Sequence, residues 1–185
     1  MKRRKFYRSL RKLGACSEAT AWVGRQPKRM KAREIWDDCE QPGWLLWLVV
    51  RVRLSRRAAM RLLMDAGADL LAEMPRTAAA VVARAEMEAW AYGPGALPPR
   101  PPGLSDEALL ARPGWRFLSH LYEMVYTASD HLAADSAQSA LDQVLYRCDA
   151  HQLCRSICTA FLWKDVRRAV VETSAVAGGV GHEPQ

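Results

Sequence analysis

Cys148-x2-His151-x2-Cys154-x3-Cys158 is where residue type and spacing come nearest to chemistry, because thiolate and imidazole are the ligands zinc prefers. At about 100° per residue, the four positions fall at roughly 0°, −60°, −120° and −80° around a helix. They share a face, and one straight helix cannot place them tetrahedrally around an ion. A zinc site would need a break in the helix or a ligand from elsewhere, such as His120 or His131. The plainer reading is a core stripe with Leu153 and Ile157. No metal or other cofactor is expected.

Nucleophilic chemistry finds less support. Cys16, Cys39, His120 and several acids could be combined into a nucleophile–base–acid set. No nucleophile elbow, glycine-rich phosphate loop or HExxH pattern accompanies them. The glycines of GPGALPPRPPG (93–103) sit among prolines, which lack the backbone donors a phosphate cradle requires. Asp37 and Asp38 are adjacent, so they project differently from a helix and make no catalytic pair. A non-catalytic protein is expected.

Charge is the stronger signal. Residues 1–61 hold 17 Lys and Arg against 5 Asp and Glu, and residues 62–185 hold 10 against 15. A basic half of net +12 therefore precedes a mildly acidic half of net −5, giving the overall +7. Such a division implies an acidic partner for the first half, or docking of one half on the other. Lys2, Arg3, Arg4, Lys5, Arg8, Arg11 and Lys12 form a dense run with Phe6 and Tyr7 interleaved. Cations neutralise phosphates while aromatic rings stack on unpaired bases, so this arm is a candidate contact for nucleic acid or an acidic partner. The alternative is a frayed, solvated terminus. Arg51, Arg53, Arg56, Arg57 and Arg61 offer a second basic surface or the exposed face of a helix. No helix-turn-helix, zinc-finger or RNA-recognition signature accompanies either group.

The elements that would position these residues read as helices throughout. Lys5 to Leu13 is amphipathic and ends at Gly14, which suits a left-handed cap. Ser17 to Val23, with Gly24 as its stop, and Ala32 to Cys39 are short helices, and Pro42-Gly43 is a turn. Trp44 to about Glu73 reads as one long helix or two abutting ones, apolar all round at its start. Pro75 opens the next element, and Thr77 to Tyr92 is an Ala/Val-rich helix. Residues 93–103 are a Pro-rich connector, after which Ser105 is an N-cap before Asp106 and Glu107. Pro113-Gly114 interrupts, Trp115 to about Thr127 is helical, and Leu132 to Val171 supplies one or two further helices. No segment alternates in the manner of a strand. The expected fold is therefore all-α: short N-terminal helices, a long central helix and a C-terminal helical half in one domain, 1–173, with a disordered tail, 174–185.

No apolar run approaches the roughly 18 residues needed to span a bilayer, and the N-terminal charges precede no apolar signal segment. The five cysteines form no CxxC pair or disulfide framework, which fits a reducing compartment. A cytoplasmic protein with no membrane partner is expected.

Seven tryptophans remain, four of them (Trp22, Trp36, Trp44, Trp47) close together on helical apolar faces. Large aromatics serve cores and interface anchors alike, and core is the expectation for each. Their setting resembles a known pattern. Gly14-Ala15-Cys16-Ser17-Glu18-Ala19, then Trp22, then Ile35-Trp36-Asp37-Asp38-Cys39, then Gly43-Trp44-Leu45-Leu46-Trp47-Leu48 is similar to the N-terminal signature of a bacterial and phage helical family. Its members run AC-x-EA-x-x-W, AW-x-x-C and DW-x-LWL, and many are labelled immunity proteins. Ala83 to Gly93 looks like a second block, and the similarity covers roughly residues 10–60 well. The resemblance implies an all-helical, non-catalytic protein that binds another protein, with Cys16, Glu18, Trp22, Trp36, Cys39, Trp44 and Trp47 as the signature core. Gly43 departs from it, standing where the pattern has Asp. A small basic nucleic-acid-binding protein using the N-terminal arm is the alternative.

Overall fold

The computed structural model describes residues 1–74, 76–94, 96–97, 99–101 and 107–177. The fold is all-α. The N-terminal helices are α1 (Arg3–Leu13), α2 (Ser17–Arg25) and α3 (Ala32–Asp37). Next come α4 (Pro42–Arg51), α5 (Arg56–Ala66), α6 (Ala68–Ala72) and α7 (Ala78–Tyr92). Beyond the Pro-rich connector lie α8 (Glu107–Leu110), α9 (Pro113–Tyr126), α10 (Asp130–Val144), α11 (Ala150–Ala160) and α12 (Trp163–Ala177). The expected element start at Pro75, the expected cap at Ser105 and residues 178–185 of the expected tail fall outside the described residues.

Local chemistry explains most boundaries. Gly14 caps α1 in the left-handed conformation at φ 82°. Thr77 and Ser129 accept hydrogen bonds from the backbone N–H groups of Ala80 and Leu132 at the starts of α7 and α10. Asp149 caps α11 by accepting from His151 and Gln152.

Several boundaries correct the sequence reading. There is no long central helix: α4 ends at Arg51, Arg53 adopts a left-handed φ of 57°, and Ser55 caps α5 through the Ala58 N–H. Pro42 and Gly43 are not a turn but the opening residues of α4, and Pro113 and Gly114 likewise open α9. Gly24 does not stop α2, which runs to Arg25. The region after Leu132 divides into α10, α11 and α12, more pieces than expected. The chain is still helical from Ser174 to Ala177, where a disordered tail was expected. Ser174 is buried, and its hydroxyl lies 3.3 Å from that of Ser9, so α12 is pinned on α1.

Buried side chains from Phe6 to Val170 belong to one contiguous cluster. At its centre α9 contributes Trp115, Phe117, Leu118, Leu121, Tyr122 and Met124, none with measurable exposure. The small faces of α10 (Ala133, Ala134, Ala137, Ala140) let it lie close to both α9 and α4. Gly114 is required where α9 crosses α6, since a Cβ there would sit 2.2 Å from the Leu70 carbonyl oxygen. The Tyr122 hydroxyl donates to the Ala83 carbonyl at 3.1 Å, tying α9 to α7 through the core.

Candidate functional site

The thiols come first, because sequence made them the chemical candidates. Cys154 is buried, Cys148 and Cys158 are partly buried, and His151 is exposed on α11. Among the described residues no three His, Cys, Asp or Glu side chains are grouped so as to hold a metal. Cys158 instead donates to the Trp36 carbonyl oxygen at 3.7 Å, and Cys39 donates to that of Gln41 at 3.6 Å. Desolvation pushes Cys39 and Cys158 up to about 11 and Cys154 to about 12, so these thiols stay protonated near neutrality. His120 on α9 is half-buried, and burial with Arg116 nearby holds it below its ordinary value.

The two basic groups have different fates. The second is largely spent on the fold. Arg51 donates to the Leu13 carbonyl at 3.0 Å, tying α4 to the end of α1. Arg56 donates to the carbonyls of Val125 and Thr127 at 3.1 and 2.6 Å and pairs with Asp130 at 3.2 Å. Arg53 shares that carboxylate. Arg57 donates to Gly93 and lies 5.0 Å over the Trp90 ring. Four guanidiniums thus satisfy carbonyls and an acid where helices end, although Arg53, like Arg61, remains exposed. In the first group, Arg3 donates to the carbonyls of Val23 and Gly24 at the end of α2. Lys2 is drawn back by its backbone bridge to Lys31. Arg4, Lys5, Arg8, Arg11 and Lys12 are exposed at helical spacing on α1, without an ion-pair partner among the described residues. The arm is a packed helix rather than a frayed terminus, because Phe6, Leu10 and Leu13 are buried beneath it.

The signature residues converge on something the sequence did not show. A cavity of about 550 Å³ opens between α1, α2, α3 and α4 on one side and α10 on the other. Cys16, Trp22, Trp36, Cys39, Trp44 and Trp47 all line it. Of these four tryptophans only Trp36 is core, at 2% exposure, with its indole N–H buried and without an acceptor among the described residues. Trp22, Trp44 and Trp47 are only partly buried, which corrects the expectation that all four fill the core. Trp22 and Trp44 touch, with ring centroids 5.8 Å apart and planes tilted by 53°. Trp36 packs instead on Trp163 at 6.2 Å, a partner no local pattern announced. Cys16 caps α2, its sulfur accepting from the Ala19 N–H at 3.4 Å, and is exposed. Glu18 is exposed outside the cavity lining, and hydrogen bonds from its own backbone N–H and from Ser17 and Cys16 hold its carboxyl below the usual range.

The opposite wall is polar. His131, Asp135, Gln138, Ser139 and Asp142 line the cavity at helical spacing along α10. His131 lies 3.2 Å from Asp135, and the Gln138 amide donates to Asp142 at 2.7 Å. Gly43 leaves room for the Gln138 amide of this wall, which a Cβ there would push aside. These polar residues make no catalytic triad: Ser139 lies eight positions from His131, about 12 Å along the helix. Sequence reasoning passed over the stripe, although its spacing in an Ala-rich helix was the available signal.

No protein-family model, curated protein or solved structure matches the chain. The functional reading therefore rests on the groove and on α1. Among the described residues no helix is long and apolar enough to cross a membrane.

Proposed function

We propose that this chain is a non-catalytic binding protein that grips another protein through the groove between the tryptophan wall and α10. One observation carries the reading: Trp22, Trp44 and Trp47 stand only partly buried around a cavity of about 550 Å³ instead of filling the core. Leaving three indoles partly wet forgoes burial that would stabilise the fold, and such rings are what interfaces use as anchors. The volume lies within the roughly 300–1,000 Å³ typical of binding sites. The resemblance to helical proteins labelled immunity proteins supports the same reading, with an inhibited toxin as the partner it suggests. The free thiols, three of them held protonated by burial, support a reducing compartment, the cytoplasm.

A second reading has an observation of its own. The unpaired cations of α1 form one helical face suited to phosphates or to an acidic protein. Both readings are tested by a tagged pull-down from the native host, with and without nuclease, using wild type, Trp47→Ala and a form with Arg4, Arg8 and Arg11 changed to Ala. A stoichiometric protein that survives nuclease and is lost only with Trp47→Ala supports the groove. Partners lost with nuclease and with the α1 changes support nucleic-acid binding and sink the groove reading.

A further inference from the structure

The two walls of the groove differ in chemistry, and the difference constrains what fits between them. One is built of indole faces (Trp22, Trp44, Trp47). The other carries Asp135 and Asp142, and no Lys or Arg lines the cavity among the described residues. In a chain of net charge +7 this is an anionic recess. Arg53 and Arg56 pair with Asp130, one position outside it. Asp142 shares one carboxylate oxygen with the Gln138 amide, and Asp135 lies 3.2 Å from His131 with no ion pair to Lys or Arg among the described residues.

Resting on the binding reading above, we propose that the group received by the groove is a cationic side chain on an apolar stem, foremost an arginine, presented by the partner protein. The guanidinium plane stacks on an indole face, where the ring quadrupole attracts it. Its donors reach Asp135 or Asp142, while its methylene stem covers the apolar wall contributed by Leu45 and Leu48. A neutral apolar anchor would satisfy the tryptophans and gain nothing from the two exposed carboxylates. An acidic anchor would be repelled. The cavity holds more than one side chain, so hydrophobic residues flanking the cation enter with it.

The test is a pair of probes differing only in charge, n-butylguanidinium and its neutral isostere n-butylurea, titrated into the full chain. Binding is read from the indole N–H resonances of Trp22, Trp44 and Trp47 in nitrogen–proton correlation spectra. The expected result is that butylguanidinium shifts these resonances at a concentration about tenfold below that required by butylurea. In a form carrying Asp135→Asn and Asp142→Asn the two probes become equivalent, with the remaining spectrum unchanged. Equal shifts by both probes in wild type would leave the groove a binding site and overturn its preference for a cation. Failure of both probes, with partner capture still lost in Trp47→Ala, would also overturn the cation and spare the binding reading. If neither probe binds and Trp47→Ala captures as wild type does, both inferences fall.

Discussion

The rings of Trp22 and Trp44 meet at 5.8 Å across the junction of α2 and α4, and neither is fully buried. A contact between two indoles normally closes a core. Here it forms part of a cavity wall, with Trp47 one turn along α4 on the same side and α10 facing them. The contact therefore shapes a surface, and its energetics should differ from those of the buried Trp36.

Substitution separates the two roles. Trp36→Ala empties a fully packed site against Trp163 and is expected to cost about 3–5 kcal/mol. Trp44→Ala and Trp47→Ala remove partly solvated rings and should cost roughly half as much. Chemical denaturation of the three variants checks the order, and equal losses would return Trp44 and Trp47 to the core.

Arginine substitutions should divide along the same line between fold and surface. Arg56→Met keeps the stem but strands the Val125 and Thr127 carbonyls and leaves Asp130 paired with Arg53 alone, at an expected cost of about 2–4 kcal/mol. Arg8→Met removes an exposed cation with no ion pair or side-chain hydrogen bond among the described residues and should change stability by less than about 0.5 kcal/mol. Thermal melts of the two side by side decide whether the second basic cluster is structural.

The fold predicts an alkaline limit. Burial raises Cys39 and Cys158 from 9.0 to about 11 and Cys154 to about 12, so the folded chain holds these protons more tightly than the unfolded one. Their stabilising contribution is complete below about pH 9 and is lost as pH rises through the folded values. Buried Tyr122, raised for the same reason, acts in the same direction. Melting temperature should fall progressively above pH 9, and less steeply in Cys39→Ala. Brief alkylation near pH 8 should label Cys16 first, because it alone among the cysteines is exposed. Labelling of Cys39 or Cys154 at a similar rate would contradict their burial.

The helices were legible where capping chemistry and amphipathic spacing agree, as at Gly14 after Leu13 and Thr77 before Ala78. The break after Arg51 was not, because WLLWLVVRVRL contains neither Gly nor Pro. The helix breaks there at a left-handed Arg53, flanked by the Ser55 cap of α5 and held by the pairing of Arg53 with Asp130. The signature tryptophans were legible as a cluster, and their division into one core ring and three groove rings was not. That division depends on where α10 and Trp163, far along the chain, come to rest against them. Helical periodicity says which face is apolar and is silent on what covers it.

The central claim is that the tryptophan groove, and not the basic face of α1, holds the partner. The most direct measurement is the dissociation constant of the captured protein for wild type, for Trp47→Ala and for the Arg4, Arg8 and Arg11 to Ala form, each shown folded by its melt. The account predicts a loss of about thirtyfold or more for Trp47→Ala, the scale of an interface anchor, and a change within about threefold for the α1 variant. Unchanged affinity in Trp47→Ala with collapse in the α1 variant would contradict it.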